Sequence, residues 1–231
     1  MTGWLEFAAA LAAFFATHFL PTRQGLRGWL IERLGRRVYF SAYGIVSLAV
    51  VGWVIVAAGR APHVDLWWQL GWQRWVPVLT MPVAVLLAVL GVGVRYPHTL
   101  GGRRGTAFDP ARPGVAAVTR HPLLWSLALW SGAHLVANGD VAHVILFGGF
   151  AALSLAAMRI FDRRARTAMS PDEWRAVRRS TAILSLRPLV DAAWLRANRR
   201  TLLRSVAIAA LVYVAIFLLH EPVIGVTPVP G

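Results

Sequence analysis

Two apolar runs stand on either side of a short polar tripeptide in PLLWSLALWSGAHLVANGDVAHVILFGGFAALSLAAM (residues 122–158). The first run covers residues 122–137, the second covers residues 141–158, and Asn138-Gly139-Asp140 separates them. Asn-Gly-Asp is typical of a tight turn, and about 20 apolar residues in a helix cross a bilayer. The stretch therefore predicts an antiparallel hairpin of two transmembrane helices.

Four more apolar runs lie outside this hairpin, at residues 3–20, 38–58, 76–94 and 202–219. Hydrophobic residues make up 57% of the chain and charged residues only 15%, whereas soluble domains carry about 25% charged residues. We therefore expect an all-α polytopic membrane protein, with about six transmembrane helices in a single domain over residues 1–231. A basic amphipathic segment separates the fifth span from the sixth, and Ser170-Pro171 predicts a helix start within it.

The 24 basic residues are distributed very unevenly between the loops. Loops one, three and five (residues 21–37, 95–121 and 159–204) contain 22 of them, loop two contains Arg60 and Arg74, and loop four contains none. By the positive-inside rule the odd-numbered loops are cytoplasmic. We expect a bacterial inner-membrane protein with both termini periplasmic. Because the net charge of +14 comes in blocks between apolar runs, it favours contact with membrane lipids over nucleic acid.

Histidines within the predicted spans are candidate metal or cofactor ligands, because buried ionisable groups are costly and imidazole is the commonest metal ligand. His18 lies near the cytoplasmic end of the first span, whereas His134 lies about 12 residues into the fourth, roughly 18 Å deep.

Arg120-His121-Pro122 stands at the entry of the fourth span. Proline suits the first position of a helix and keeps the preceding residue out of the helical region. Arg120 and His121 should therefore lie beside the unsatisfied N–H groups of that helix, a place that suits a carboxylate, a propionate or a phosphate. Near the other end of the hairpin, we expect a local hydrogen bond between His143 and Asp140.

The order and spacing of several short motifs resemble the NnrU family of membrane proteins, which also includes 15-cis-zeta-carotene isomerases. The similarity is clearest in the central hairpin and extends over nearly the whole chain. The matching motifs are His18 with Arg23, Leu34-Gly35-Arg36-Arg37, Val118-Thr119-Arg120-His121-Pro122, Trp130, Ala133-His134, Asn138-Gly139-Asp140, Asp162-Arg163-Arg164, Glu173-Trp174, Ser180-Thr181, and His220 with Pro222.

This resemblance implies a link to nitrogen-oxide respiration (denitrification). Its isomerase branch implies haem b held by two histidines and isomerisation of a cis double bond in a polyene. Carried over to this chain, the metal ligands are His18 and His134, with His121 as the next candidate, and Arg120 would hold a haem propionate. Two axial ligands of one iron require similar depths, so either span one extends past Pro21, span four is buried differently, or the partner of His18 is His121. Ser131 stands where that branch has a cysteine. The chain has no cysteine, which excludes covalent c-type haem but is compatible with haem b.

Two alternatives remain open besides a haem-dependent isomerase or redox protein. One is a non-catalytic accessory factor for a respiratory or nitrogen-oxide reductase complex. The other is an S-adenosylmethionine-dependent membrane methyltransferase of the isoprenylcysteine type, which Arg120-His121-Pro122 also resembles. Those enzymes usually carry paired glutamates in the later segment, where this chain has Asp162 and the single Glu173.

Overall fold

Helices form every long element of the computed structural model, which describes residues 2–21, 23–103, 105 and 107–229. No β-strand occurs within these ranges, and a single isolated bridge joins Asp65 to Asp140. The all-α prediction is therefore confirmed. The eight α-helices of the described residues are α1 (Thr2–Phe19), α2 (Gln24–Leu34), α3 (Arg36–Arg60), α4 (Trp75–Gly91), α5 (Pro122–Ala137), α6 (Val141–Ala168), α7 (Pro171–Ser180) and α8 (Ala192–Ile224).

Four segments are long and apolar enough to cross a membrane: α3, α4 with the 3-10 turn before it (Gly71–Gly91), α6 and α8. The length and composition of these helices are consistent with a multi-pass membrane protein. Helix α5 is apolar but has 16 residues, and α1 has 18 residues that include Glu6 and His18. The count of six spans is therefore not confirmed by these criteria, although each of the six predicted runs is helical over most of its length, the third ending early at Gly91.

Helices α6 and α8 are longer than the predicted apolar runs, because they continue into polar sequence. Helix α6 continues from the apolar run to Ala168, and α8 starts at Ala192, well before the apolar run that begins at residue 202. Hydropathy reports only the apolar part of a helix, whereas backbone hydrogen bonds continue through polar residues in water. Helix α2, in the first basic loop, has no apolar run and was not predicted. Because α1 ends at Phe19, span one does not extend past Pro21.

The chain divides into two compact units, of which the first comprises residues up to 68 together with residues 139–146. Within it α1 packs closely along α3, and Glu6 forms an ion pair with Arg60 at 3.2 Å. A Cβ on Gly3 would lie 2.4 Å from the carbonyl oxygen of Arg60. The absence of a side chain at Gly3 therefore permits this close approach of the two helices.

The second unit comprises residues 69–138 and those from 147 onward. Its centre is α4, which packs against both α5 and α8. Pro82 lies inside α4 and has no N–H to donate to the carbonyl of Val78, four residues earlier. The Tyr213 hydroxyl of α8 donates to that carbonyl oxygen instead, at 3.1 Å. Unit two also contains the site described next.

Candidate functional site

The loop that leads from α4 into α5 is folded back tightly by glycines. The amide of Gly93 donates to the Gly101 carbonyl at 2.8 Å, and Gly101 has a φ of +73° that favours glycine. A Cβ on Gly101 would also lie 2.3 Å from the Leu123 side chain. This close approach brings Tyr96 and Thr99 to the start of α5.

A second segment, after α7, pairs with the residues that precede α5. The Ala182 amide donates to the Ala116 carbonyl at 3.1 Å, and the Arg120 amide donates to the Ala182 carbonyl at 2.9 Å. The Ser185 amide donates to the Val118 carbonyl at 2.8 Å. Three separate parts of the chain therefore meet at the entry of α5, and the third is the extension of α6 that carries Asp162.

Asp162 binds both basic residues of the Arg-His-Pro motif. Arg120 donates two parallel hydrogen bonds to the carboxylate, from Nε to Oδ1 at 2.8 Å and from Nη2 to Oδ2 at 2.5 Å. His121 Nε2 lies 2.9 Å from Oδ1, and Arg120 Nη1 also donates to Thr181 Oγ1 at 3.4 Å. Arg120 is 5% exposed and His121 is fully buried. The bidentate geometry is the strong form of an arginine–carboxylate pair.

Both ring nitrogens of His121 have partners. Because an ionised Asp162 only accepts hydrogen bonds, Nε2 carries the proton that faces it. In the neutral ring Nδ1 then accepts from the hydroxyl of Thr99, whose Oγ1 lies 2.9 Å away. The His121 amide donates to Thr119 Oγ1 at 3.2 Å. An iron-ligand role for His121 would require one of these ring hydrogen bonds to break.

Aromatic rings enclose the network. The Arg120 guanidinium lies 5.9 Å from the ring centroid of Trp174, and the ring of Tyr96 faces that of His121 edge-on at 6.3 Å. Tyr96 is fully buried, and its hydroxyl has no hydrogen-bond partner among the residues that the structure describes. Burial, followed by the nearby carboxylate of Asp162, raises the pKa of Tyr96 to about 12. The Tyr96 phenol therefore stays neutral.

Chemically, the network holds an anion at the entry of α5, and that anion is the chain's own Asp162 carboxylate. The expected place for an anion is therefore occupied internally in this structure. Arg120 as a propionate ligand stays a prediction, since its side chain is 6% exposed and bound to Asp162. The arrangement fixes α5, and thus the position of His134, relative to α6 and the segment after α7.

His134 lies in unit two, on α5, between aromatic rings. Its Nδ1 lies 2.8 Å from the Trp130 carbonyl oxygen, four residues earlier on the helix. The ring centroids of Trp130 and Phe147 lie 5.6 Å and 5.2 Å from that of His134. Since a carbonyl only accepts, Nδ1 carries the proton and Nε2 carries the lone pair.

His18 shows the same local geometry in unit one. Its Nδ1 lies 2.9 Å from the Phe14 carbonyl oxygen, and its ring packs against Phe14 with a centroid distance of 4.0 Å. Nε2 is again the nitrogen with the lone pair. His18 and His134 belong to different units, and their pairing on one iron stays a prediction. No cluster of three or more His, Asp or Glu suited to a metal occurs in the described part of the chain.

Several residues that matter at this site were missed or only partly recognised from the sequence. Thr99 and Tyr96 have no predicted role, Thr181 appears only within the Ser180-Thr181 motif, and Asp162 appears only in a motif and in the comparison with methyltransferases. One available signal was that Asp162 is the sole acidic residue within the arginine-rich end of α6. By contrast, the expected bond between His143 Nδ1 and Asp140 Oδ2 is confirmed at 2.7 Å. Ser131, at the position of the isomerase cysteine, donates to the Leu127 carbonyl.

Comparison with known proteins gives one match. A family model described as NnrU protein matches residues 6–228, nearly the whole chain. No curated protein and no solved structure matches.

Proposed function

The chain belongs to the NnrU family, and we propose that it binds haem b, with Nε2 of His134 and Nε2 of His18 each able to ligate iron. The observation that carries the proposal is the shared geometry of these two rings. In each, Nδ1 donates to the carbonyl four residues earlier. A metal-bound histidine usually donates its other ring N–H to a carboxylate, a backbone carbonyl or water, which orients the ring and fixes its tautomer; here a backbone carbonyl takes that role.

The surroundings of His134 also suit a large apolar cofactor. Trp130 and Phe147 flank the imidazole, and Trp130 stacks on Phe150 with ring centroids 6.1 Å apart. Aromatic side chains of this kind line cofactor pockets and exclude water from them. In this proposal α5 presents His134, and the buried Asp162 network holds α5 in place from its other end.

Haem b would supply one-electron chemistry or, as the resemblance to the isomerase branch implies, isomerisation of a cis double bond in a polyene. The protein would bind the porphyrin, orient the iron through imidazole and keep water away. A role in nitrogen-oxide respiration is proposed from the family resemblance.

We also propose the six-span topology. In it α1 and α5 would cross the membrane together with the four longer helices, in a bacterial inner membrane, with the arginine-rich loops cytoplasmic.

The methyltransferase alternative has less support. Arg120 and His121, which would hold S-adenosylmethionine, are both buried and bound to Asp162. The accessory role, without bound cofactor, is the alternative that competes directly with haem binding.

An absorbance spectrum of the protein purified in mild detergent after haem-replete expression tests the proposal. We expect a Soret band with low-spin bis-histidine features in the wild type, and its loss or conversion in His134→Ala and in His18→Ala. The matched control is His63→Ala, which removes an exposed histidine that is paired with Asp65. A wild-type protein that carries no haem would contradict the proposal and favour the accessory role. Saturable S-adenosylmethionine binding that fails in Arg120→Ala would favour the methyltransferase.

A further inference from the structure

A basic cleft lies between the C-terminal end of α6 and helix α7, within unit two. Its volume is about 670 Å³, a size typical of small-molecule sites. Four arginines line it, one from α6 and three from α7: Arg166, Arg175, Arg178 and Arg179. No acidic side chain is among the residues that line it.

The positive charge of the cleft is largely uncompensated. Arg175 pairs with Asp172 through Nη2 and Oδ1, whereas Arg166, Arg178 and Arg179 form no ion pair with any acidic residue in the described ranges. Arg175 and Arg179 are also four residues apart on one helix, where like charges repel. A bound anion would relieve this repulsion.

The remaining lining is apolar. Met169 and Trp174 face the cleft, and both pack against the small buried cluster around Tyr96 and Val177. Methionine adapts its shape to a ligand, and guanidinium groups match the geometry of phosphate oxygens. We infer that the cleft between α6 and α7 binds a phosphate group attached to a carbon body, with the arginines on the phosphate and the apolar wall on that body. This inference does not rest on haem binding.

Such a phosphate has two possible sources. Arg166 lies eight residues beyond Met158, the end of the apolar run in α6, which is about 12 Å along a helix. The headgroup layer is about 5–8 Å thick on each side of the bilayer, so the backbone of Arg166 lies about 4–7 Å beyond it and the long arginine side chain can reach back toward it. A phospholipid headgroup and a soluble organic phosphate would therefore present the same phosphate group to the cleft, and the experiment distinguishes the two sources.

Trp174 connects the cleft to the buried network. The same indole that lines the cleft lies against the Arg120 guanidinium at 5.9 Å. A ligand in the cleft would therefore restrict Trp174 and stabilise the contact between α7 and the segment that precedes α5. Ligand binding should slow amide hydrogen exchange in α7, which is measurable without any activity assay.

The test compares Arg178→Gln/Arg179→Gln with Arg199→Gln/Arg200→Gln. Both double variants remove two exposed arginines, but only the first pair lines the cleft. Native mass spectrometry of the detergent-purified protein measures retained phosphatidylglycerol, with phosphatidylcholine as the zwitterionic comparison. Calorimetry with glycerol 3-phosphate and with inorganic phosphate covers the soluble source. Circular dichroism verifies that each variant is folded.

We expect one saturable site in the wild type, weakened about tenfold or more in the cleft variant and unchanged in the α8 variant. Saturation by phosphatidylglycerol alone identifies a lipid headgroup, and saturation by glycerol 3-phosphate identifies a soluble ligand; both support the site. Equal weakening of phosphate binding in the two double variants would show that binding depends only on net charge, and would overturn the proposed site. The absence of saturable binding by any of these phosphates would overturn it as well.

Discussion

At the residue scale, Asp162 is the acidic residue that binds both buried basic groups of the Arg-His-Pro motif. Its carboxylate accepts from Arg120 and from His121, and both of these are almost completely removed from solvent. Burying a guanidinium is costly unless its partner is present with good geometry. Asp162 therefore stabilises the folded state mainly by compensating the buried charge of Arg120, and less by the net attraction between the two side chains.

Asp162→Asn should destabilise the protein by about 3–5 kcal/mol, because it leaves Arg120 buried without a counterion. The measurement is unfolding in mild detergent by titration with sodium dodecyl sulfate, followed by circular dichroism. Asp109→Asn serves as the control, since it breaks an ion pair with Arg112 whose side chains are 44% and 81% exposed, and solvent-exposed pairs of this kind contribute little to stability. Similar losses in the two variants would contradict this account of the network.

Tyr96→Phe should leave stability unchanged or raise it by about 1 kcal/mol. The hydroxyl is buried and has no partner within the described chain, so its removal eliminates a desolvation cost while keeping the ring. The same titration measures the effect. A clear loss of stability in Tyr96→Phe would mean that the hydroxyl is hydrogen-bonded in the folded protein, for example to water.

At this scale the sequence predicts local features well and distant contacts poorly. The His143–Asp140 bond joins residues three apart and is confirmed. The Asp162–Arg120 contact joins residues 42 apart, and a single sequence carries no information about which distant residues pair. The sequence predicts that Arg120-His121-Pro122 binds an anion that belongs to a ligand. In the structure that anion is the side-chain carboxylate of Asp162.

At the scale of the helices, local signals fix where elements begin and end. Helix α5 has the predicted bounds, since Pro122 starts it and the Asn138 turn ends it. Helix α7 begins after Ser170 as predicted, and Glu173 completes a capping box: its carboxylate accepts from the Ser170 amide at 2.8 Å. The start of α6 at Val141 is as predicted, whereas its C-terminal end and both ends of α8 were not predicted, because no such signal coincides with those limits of the apolar runs.

The contact of Tyr213 with α4 permits a double-mutant cycle. Tyr213→Phe should cost about 1 kcal/mol or less, within the usual range for hydrogen bonds between membrane helices. In a Pro82→Ala background the same change should cost almost nothing, because the new amide at position 82 can donate to the Val78 carbonyl. Detergent unfolding of all four proteins gives the coupling energy. Equal costs in both backgrounds would show that Tyr213 does not compensate for the proline.

At the scale of the whole molecule, the uneven distribution of the arginines between the loops predicts an orientation in the membrane. The chain has no cysteine, so single cysteines introduced into it can be labelled without background. Trp68→Cys in loop two and Val190→Cys in loop five use positions of matched exposure, 88% and 85%. In intact cells a membrane-impermeant maleimide should label the first, and the second should react only after lysis. Labelling of both in intact cells would contradict the proposed topology.

The wide separation of the network's members along the chain also bears on biosynthesis. Arg120 leaves the ribosome 42 residues before Asp162, and Thr181 follows later still. At about 5–20 residues per second this is an interval of a few seconds. During this interval the Arg120 guanidinium has no carboxylate partner and must stay hydrated. A nascent protein truncated before Asp162 lacks the carboxylate that lets Arg120 be buried, so the entry of α5 can close only after this part of α6 has been translated.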